Sequence, residues 1–287
     1  MNDQAEALRY LVKQQENHRA NTRIITVTSG KGGVGKSNFS LNFALALKRQ
    51  GKKVLIFDAD IGMANIDVLM GTSSTYSLYH LLKQEKTIWD IIQLGVEGIH
   101  YIAGGSGFRD LLELSSEQIN RFASEVEKLH GEYDVILFDT GAGLSKETVR
   151  FIAAAQETIV VTTPEPTSIT DAYALIKMVK SMGIDAQFKL IVNRASDARE
   201  GKETAEKISL VASRFLHSEL PSLGTIPDDS HVSKAVKRQI PFLIAYPNSG
   251  AAIALCRIAE AYMDIPATAS GNGGVKGFIT KLFRLAR

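Results

Sequence analysis

Four glycines crowd into residues 30 to 35, between a short β-branched run, Ile24-Ile25-Thr26-Val27-Thr28, and a segment with helical apolar spacing that starts at Lys36. That order, buried strand, glycine-rich turn, helix, constrains the fold more than any other feature of the chain. Gly30-Lys31-Gly32-Gly33-Val34-Gly35-Lys36-Ser37 fits G-x-x-x-x-G-K-[ST] in the context that motif requires. Glycines permit positive φ and close backbone approach, so successive N–H groups and the helix N-terminus can surround phosphates. Lys36 is placed to pair with β and γ phosphates, and the Ser37 hydroxyl to ligate Mg²⁺. The expected ligands are therefore ATP or ADP with Mg²⁺, held by residues 30–37 and the adjoining Asn38.

The rest of the chain supplies the sheet that such a loop needs. Strand-like runs at Val54 to Phe57, Ile99 to Ala103, Val135 to Phe138, Thr158 to Val161, Lys189 to Val192 and Leu223 to Ile226 are interspersed with helical patterns. The helical patterns run Lys36 to Gln50, Glu117 to His130, Ser168 to Met182, Lys202 to Phe215 and Gly250 to Tyr262. Alternation of this kind predicts an α/β fold, a mostly parallel central sheet flanked by helices. With 287 residues, 45% of them apolar, the chain is long enough for one substantial core. Residues 21–265 read as one nucleotide-binding domain, preceded by a polar helix over 1–20 and followed by an Ala/Ser/Gly-rich linker over 266–274 and a terminal segment over 275–287.

Composition narrows the function classes. Thirty-three basic against 31 acidic residues give a net charge of +2, which offers no global footprint for nucleic acid, so no specific nucleic-acid partner is expected. A single cysteine, Cys256, excludes an intramolecular disulfide and reads as a packed thiol in a reducing cytoplasm. No run reaches the roughly 18 apolar residues of a membrane span, and Met1-Asn2-Asp3-Gln4 lacks a basic region followed by an apolar core. The six histidines show no metal-ligand spacing.

Acidic residues at strand ends complete the candidate site. Asp58 and Asp60 follow the second strand at its carboxyl end, where ligands bind in open parallel sheets, although Asp is also an ordinary turn residue. Val135-Ile136-Leu137-Phe138-Asp139 is an apolar strand ending in an acid, the pattern that holds Mg²⁺ directly or through water. Val192-Asn193-Arg194 and Ile226-Pro227-Asp228 lie at two further strand ends. A helix N-cap is expected at Thr167 or Ser168.

Lys31 is not required by the general phosphate-loop motif. The form K-G-G-x-G-K-S resembles the deviant Walker A of the MinD/ParA ATPases, and the resemblance extends over essentially the whole chain. It implies a homodimer formed with ATP, in which Lys31 reaches across to the other subunit's nucleotide; on the residues alone, Lys31 is a solvated loop lysine. It also implies that Lys36 and Asp60 serve hydrolysis, Asp60 by positioning the attacking water in a first switch segment. By the same resemblance Asp58 would support Mg²⁺, and Thr140-Gly141-Ala142-Gly143-Leu144 would form a second switch. Asn193, Arg194, Pro227 and Asp228 would surround the adenine. A slow, dimer-dependent ATPase is the implied activity.

The two ends carry the remaining expectations. With about 100° per residue from Val275, residues Phe278, Ile279, Leu282 and Phe283 fall on one side and Lys276, Lys281, Arg284 and Arg287 on the other. A basic amphipathic segment after a flexible linker reads as a reversible anchor on an anionic membrane surface. A helix docked on the protein's own core is the alternative. Asp3-Gln4-Ala5-Glu6-Ala7-Leu8-Arg9 resembles the D-Q-A-x-x-L-R element of the FlhG (YlxH/FleN) branch of the family, which sets flagellar number and placement. There Asp3, Gln4, Leu8 and Arg9 would meet an SRP-type GTPase, FlhF, as its activator, and flagellar C-ring or switch components are further implied partners. The expected location is the cytoplasm, reversibly at the inner face of the cell membrane. Division-site (MinD-type) and DNA-partitioning (ParA-type) roles, and a nucleotide-gated scaffold, are alternatives; an iron–sulfur carrier needs more than one cysteine.

Overall fold

The computed structural model describes residues 22–60, 65–104, 116–265 and 274–284. The expectations for 1–20, for the loop after Asp60 and for the linker before Gly274 lie outside them. Eight strands form one sheet: β1 (Arg23–Ser29), β2 (Val54–Ala59), β3 (Gln93–Leu94), β4 (His100–Ile102), β5 (Val135–Ala142), β6 (Glu157–Thr162), β7 (Phe188–Ala195) and β8 (Ser222–Pro227). Their order is β3-β4-β2-β5-β1-β6-β7-β8. Every neighbouring pair is parallel except the short β3 against β4, as the alternating pattern predicts.

Odd and even residues of the strands enter different cores. Val135 and Leu137 of β5 pack with α1 (Lys36–Arg49), while Ile136 and Phe138 point to the opposite face. The first face also holds α2 (Ile66–Met70). The second holds α3 (Leu78–Leu82), α4 (Ile88–Ile91), α5 (Ser116–Glu127) and, in a contiguous cluster, α6 (Lys146–Ala154), α7 (Pro166–Ser181) and α8 (Ala198–Leu216). Back on the first face are α9 (Ser230–Lys237), α10 (Phe242–Ala245) and α11 (Gly250–Asp264). None of the described helices is long and apolar enough to cross a membrane.

Several boundaries differ from expectation for local reasons. Helix α7 begins two residues early, with Pro166 at its first turn and Glu165 in the cap position, so neither Thr167 nor Ser168 is the N-cap. A proline with φ already fixed near the helical value opens that helix instead. Strand β5 continues through Thr140 to Ala142, because Ser29 still pairs with Ala142 beyond the acid. Helix α8 starts at Ala198, four residues before Lys202, since the Asp197 carboxylate accepts the Glu200 N–H at 2.8 Å. Helix α5 stops at Glu127, and Cys256 is only half-buried.

The last helix, α12 (Gly274–Arg284), lies against the sheet's second face. Val275, Phe278, Ile279, Leu282 and Phe283 are all buried, so the stripe read as a lipid-facing surface is covered here by the protein's own core. Phe278 stacks on Phe138 with ring centroids 4.5 Å apart, and Phe283 meets Phe122 edge-on at 5.8 Å. At the amino ends of the strands a buried charge cluster ties three of them together. Glu157 accepts from Arg23 (2.7 Å), Lys189 (2.6 Å) and the Tyr262 hydroxyl (2.8 Å).

Candidate nucleotide site

The phosphate loop leaves β1 at the carboxyl edge of the sheet. Gly33 and Gly35 take positive φ of 80° and 91°, so both need a residue free of the Cβ penalty. Gly30 is needed for a different reason: a Cβ there would lie 2.2 Å from the Asp171 carbonyl carbon of α7. A Cβ on Gly35 would come within 2.5 Å of Asn193 Nδ2, which donates to the Val34 carbonyl at 2.8 Å. At Gly32 and Gly33 nothing lies within 4 Å, so the loop's outer side is open. Helix α1 starts with no side-chain cap, so no side chain occupies its first N–H groups, the donors that an anion takes at a helix N-terminus.

The register of β2 on β5 sets Asp58 directly beside Asp139. Asp139 Oδ1 accepts from Lys36 Nζ at 3.0 Å and from Ser40 Oγ at 2.7 Å, while its fully buried Oδ2 has no hydrogen-bond partner among the described residues. Lys36 Nζ also donates to Ser37 Oγ at 3.3 Å. Asp58 Oδ2 accepts the N–H groups of Asn65 (2.8 Å) and Ile66 (3.0 Å), clasping the start of α2. Burial, and then the charge on Asp139, push the Asp58 carboxyl up to about 7, against the opposing effect of these N–H donors. Two adjacent buried carboxylates, one with an orphaned oxygen, beside the Ser37 hydroxyl make a hard oxygen donor set that fits Mg²⁺ held partly through water.

The segments after β2 and β5 meet each other and the end of β1. Asp60 Oδ1 lies 3.5 Å from where a Cβ on Gly141 would stand, and Gly143 donates its N–H to the Ser29 carbonyl at 2.8 Å. Lys31 Nζ reaches Glu165 Oε2 at 3.3 Å and Thr167 Oγ1 at 3.0 Å, a pair roughly half exposed to solvent. On the other side a cleft of about 730 Å³ is lined by Gly35, Asn38, Asn193, Arg194, Pro227 and Asp228. The candidate adenine residues from two separate strand ends are thus brought to one wall beside the loop.

Sequence reasoning missed Ser40, Glu165 and Thr167. Ser40 had a readable signal, lying three residues beyond Ser37 on the same helix face. Glu165 and Thr167 stood out only as part of a helix start, and their contact with Lys31 was not readable because it depends on how α7 crosses the loop. Asp3, Gln4, Leu8 and Arg9 lie outside the described residues.

A family profile described as "ParA: NUBPL iron-transfer P-loop NTPase" matches residues 20–263. The chain belongs to the ParA/MinD family of P-loop NTPases. The iron-transfer description is that of the profile; the chain has one cysteine. Among its relatives is Antiactivator FleN of Pseudomonas aeruginosa, 37% identical over 260 residues, covering 91% of this chain and 93% of that one. Flagellum site-determining protein YlxH of Helicobacter pylori is 40% identical over 246 residues, 83% of each chain. Of solved structures, the septum site-determining protein MinD complexed with Mg-ADP from Pyrococcus horikoshii superposes with a TM-score of 0.69 at 28% identity, covering 85% of this chain and 96% of that one. That structure puts nucleotide and Mg²⁺ in the family, and membership of the ParA/MinD family implies ATPase activity.

Proposed function

We propose that this chain is an ATP-driven dimerising switch at the inner face of the cell membrane that regulates flagellar number and placement. The observation that carries this reading is likeness to FleN and YlxH over most of the chain, joined to Lys31 in K-G-G-V-G-K-S beside an intact set of strand-end acids. Mg²⁺, when bound by Ser37 and the Asp58 and Asp139 carboxylates, would neutralise charge between the β and γ phosphates. Lys36 gives up its bond to Asp139 to reach the same phosphates. Asp60 orients the attacking water, and the Gly141 to Gly143 segment re-forms against it. Lys31 leaves Glu165 and Thr167 to meet the nucleotide of a second subunit, which makes turnover slow and dimer-dependent.

Membrane residence, in this reading, is a competition for one apolar stripe. Helix α12 cannot bury Phe278, Ile279, Leu282 and Phe283 in its own groove and in lipid at once, so each peripheral attachment requires undocking. Short helices bind lipid modestly, and two copies in a dimer supply the avidity. Residues 1–20 act on an SRP-type GTPase, with Gln4 and Arg9 directed at the partner's site; the FlhF-type GTPase and the C-ring are the proposed partners.

Sedimentation with phosphatidylglycerol vesicles tests the membrane arm: the full chain should co-sediment with ATP and Mg²⁺, and a Phe278→Glu/Phe283→Glu chain should not. Equal binding by both rejects the anchor. A peptide of residues 1–20 should accelerate GTP hydrolysis by an FlhF-type GTPase. No acceleration, or the same acceleration with Gln4→Ala and Arg9→Ala, rejects the activator role.

A further inference from the structure

The end of the sheet remote from the phosphate loop carries a second built cleft. It has a volume of about 420 Å³ and opens at the amino ends of β2, β4 and β5. Lys48 enters from the last turn of α1, Lys52 and Lys53 from the turn into β2, Trp89 from α4, His100 from β4 and Tyr133 from the turn into β5. Among the described residues none of the three lysines makes an ion pair.

Three acids lie near these lysines, and the charge of Lys48 reaches one of them, Glu97. Glu97 is held by Arg49 through both carboxylate oxygens, at 2.6 and 3.0 Å. Asp134 accepts the Lys53 backbone N–H at 2.7 Å. Glu132 is the carboxylate that lines the cleft itself. Burial, and then the charges of Lys48 and Lys53, hold the His100 imidazole below its ordinary range. Its Nδ1 lies 2.7 Å from the Tyr133 hydroxyl; with Tyr133 donating, Nε2–H remains a donor.

Apolar surface borders this excess of cationic groups. Trp89 is 47% exposed and Leu94, on the edge strand β3, is 69% exposed. Lys48 Nζ and a Leu94 methyl both lie within 4 Å of where a Cβ on Gly98 would stand, so ammonium and apolar surface are neighbours. A helix C-terminus favours a cation, which accounts for Lys48. It does not account for Lys53 at the head of a strand, or for a tryptophan brought from another element.

We propose that this cleft docks an acidic peptide segment of a partner protein, seating an aliphatic or aromatic side chain on Trp89 and a carboxylate between Lys48 and Lys53. A concave wall with an exposed indole and convergent donors suits a peptide side chain better than a flat lipid surface. The site lies at the opposite end of the strands from the phosphate loop, so a partner here and a nucleotide there can be held together. This inference does not depend on the membrane or flagellar reading.

Trp89 is the single tryptophan of the chain and therefore reports its own site. The probe is a pool of pentapeptides with central Leu or Phe flanked by Asp and Glu, titrated into the full chain with ATP and Mg²⁺ saturating, against the same pool with Asn and Gln. The acidic pool should shift Trp89 emission saturably. The amide pool, and the Lys48→Glu/Lys53→Glu chain, should bind at least about tenfold more weakly, with thermal unfolding and ATP binding of that chain unchanged. No shift from the acidic pool, or an undiminished one in the double variant, overturns the proposal. An equal shift from inorganic phosphate, or one produced by phosphatidylglycerol vesicles and not by the pool, overturns it in favour of a simple anion or a lipid surface.

Discussion

Phe278 of the last helix stacks on Phe138, the residue that immediately precedes Asp139 in β5. The terminal helix is thus packed one residue away from a carboxylate of the candidate Mg²⁺ site. Phe278 is 2% exposed, so Phe278→Ala opens a cavity against Phe138 and Phe151 and should cost about 3–5 kcal/mol in chemical denaturation. A loss under about 1 kcal/mol would show that the helix is only loosely seated.

The glycines of the phosphate loop should separate sharply. Gly30→Ala meets the α7 backbone at 2.2 Å and should abolish nucleotide binding, since backbone cannot yield as a flexible side chain can. Gly32→Ala meets nothing within 4 Å and should leave unfolding within about 0.5 kcal/mol of wild type. Titration with a fluorescent ATP analogue and thermal unfolding of both variants check this. Equal effects would contradict the placement of α7 across the loop.

Two buried carboxylates give opposite pH dependences. Asp58, pushed up to about 7, keeps a proton in the folded chain that the unfolded chain has lost, so its contribution to stability falls as pH rises from about 4 to about 7. In nucleotide-free protein without Mg²⁺, Asp58→Asn should melt higher than wild type at pH 8, and the gap should narrow towards pH 5. Burial alone would raise Glu157, but Lys189, Arg23 and Tyr262 outweigh it and hold the carboxyl below its ordinary value. Its stabilisation is present above about pH 4.3 and is lost as pH falls through its native pKa. Glu157→Gln should cost about 3–5 kcal/mol at pH 7, because Arg23 and Lys189 are left without their carboxylate, and less in acid. Melting curves from about pH 5 to pH 8 decide the sign for Asp58, and curves carried down to about pH 3 decide it for Glu157; pH-independent offsets across those ranges would contradict them.

Lys31 is held within its own chain by a partly exposed pair, which is worth about 1 kcal/mol or less. Glu165→Gln should therefore leave stability almost unchanged while strengthening ATP-dependent association. Lys31→Ala should bind ATP as a monomer and fail to associate. Light scattering with ATP and Mg²⁺ distinguishes these outcomes, and a normal dimer from Lys31→Ala would remove that residue from the interface.

Much of this was legible in the chain because the informative features are local. The glycines, Lys36 and Ser37 announce a loop between strand and helix, and Asp58 and Asp139 announce themselves as acids ending apolar strands. That the two carboxylates are adjacent was not legible, since it follows from β5 lying between β2 and β1, and strand order is a long-range property. Helix α6 was missed because Lys146 to Ala154 is short and follows the glycine-rich segment without a separate stop signal. The final helix shows a deeper limit. One apolar stripe satisfies a groove on the same protein or a lipid surface equally well, and only the Phe138, Phe151 and Phe122 side chains on the sheet's second face show that a groove exists.

The central claim, a hydrolysis-reset dimer with Asp60 at the reacting water, is tested most directly by Asp60→Ala. Dimer lifetime and phosphate release would be measured on the same sample with ATP and Mg²⁺. The account predicts retained ATP binding, turnover reduced at least about a hundredfold and dimers that persist long after wild type has returned to monomer. Wild-type turnover in Asp60→Ala, or dissociation at the wild-type rate, would contradict it.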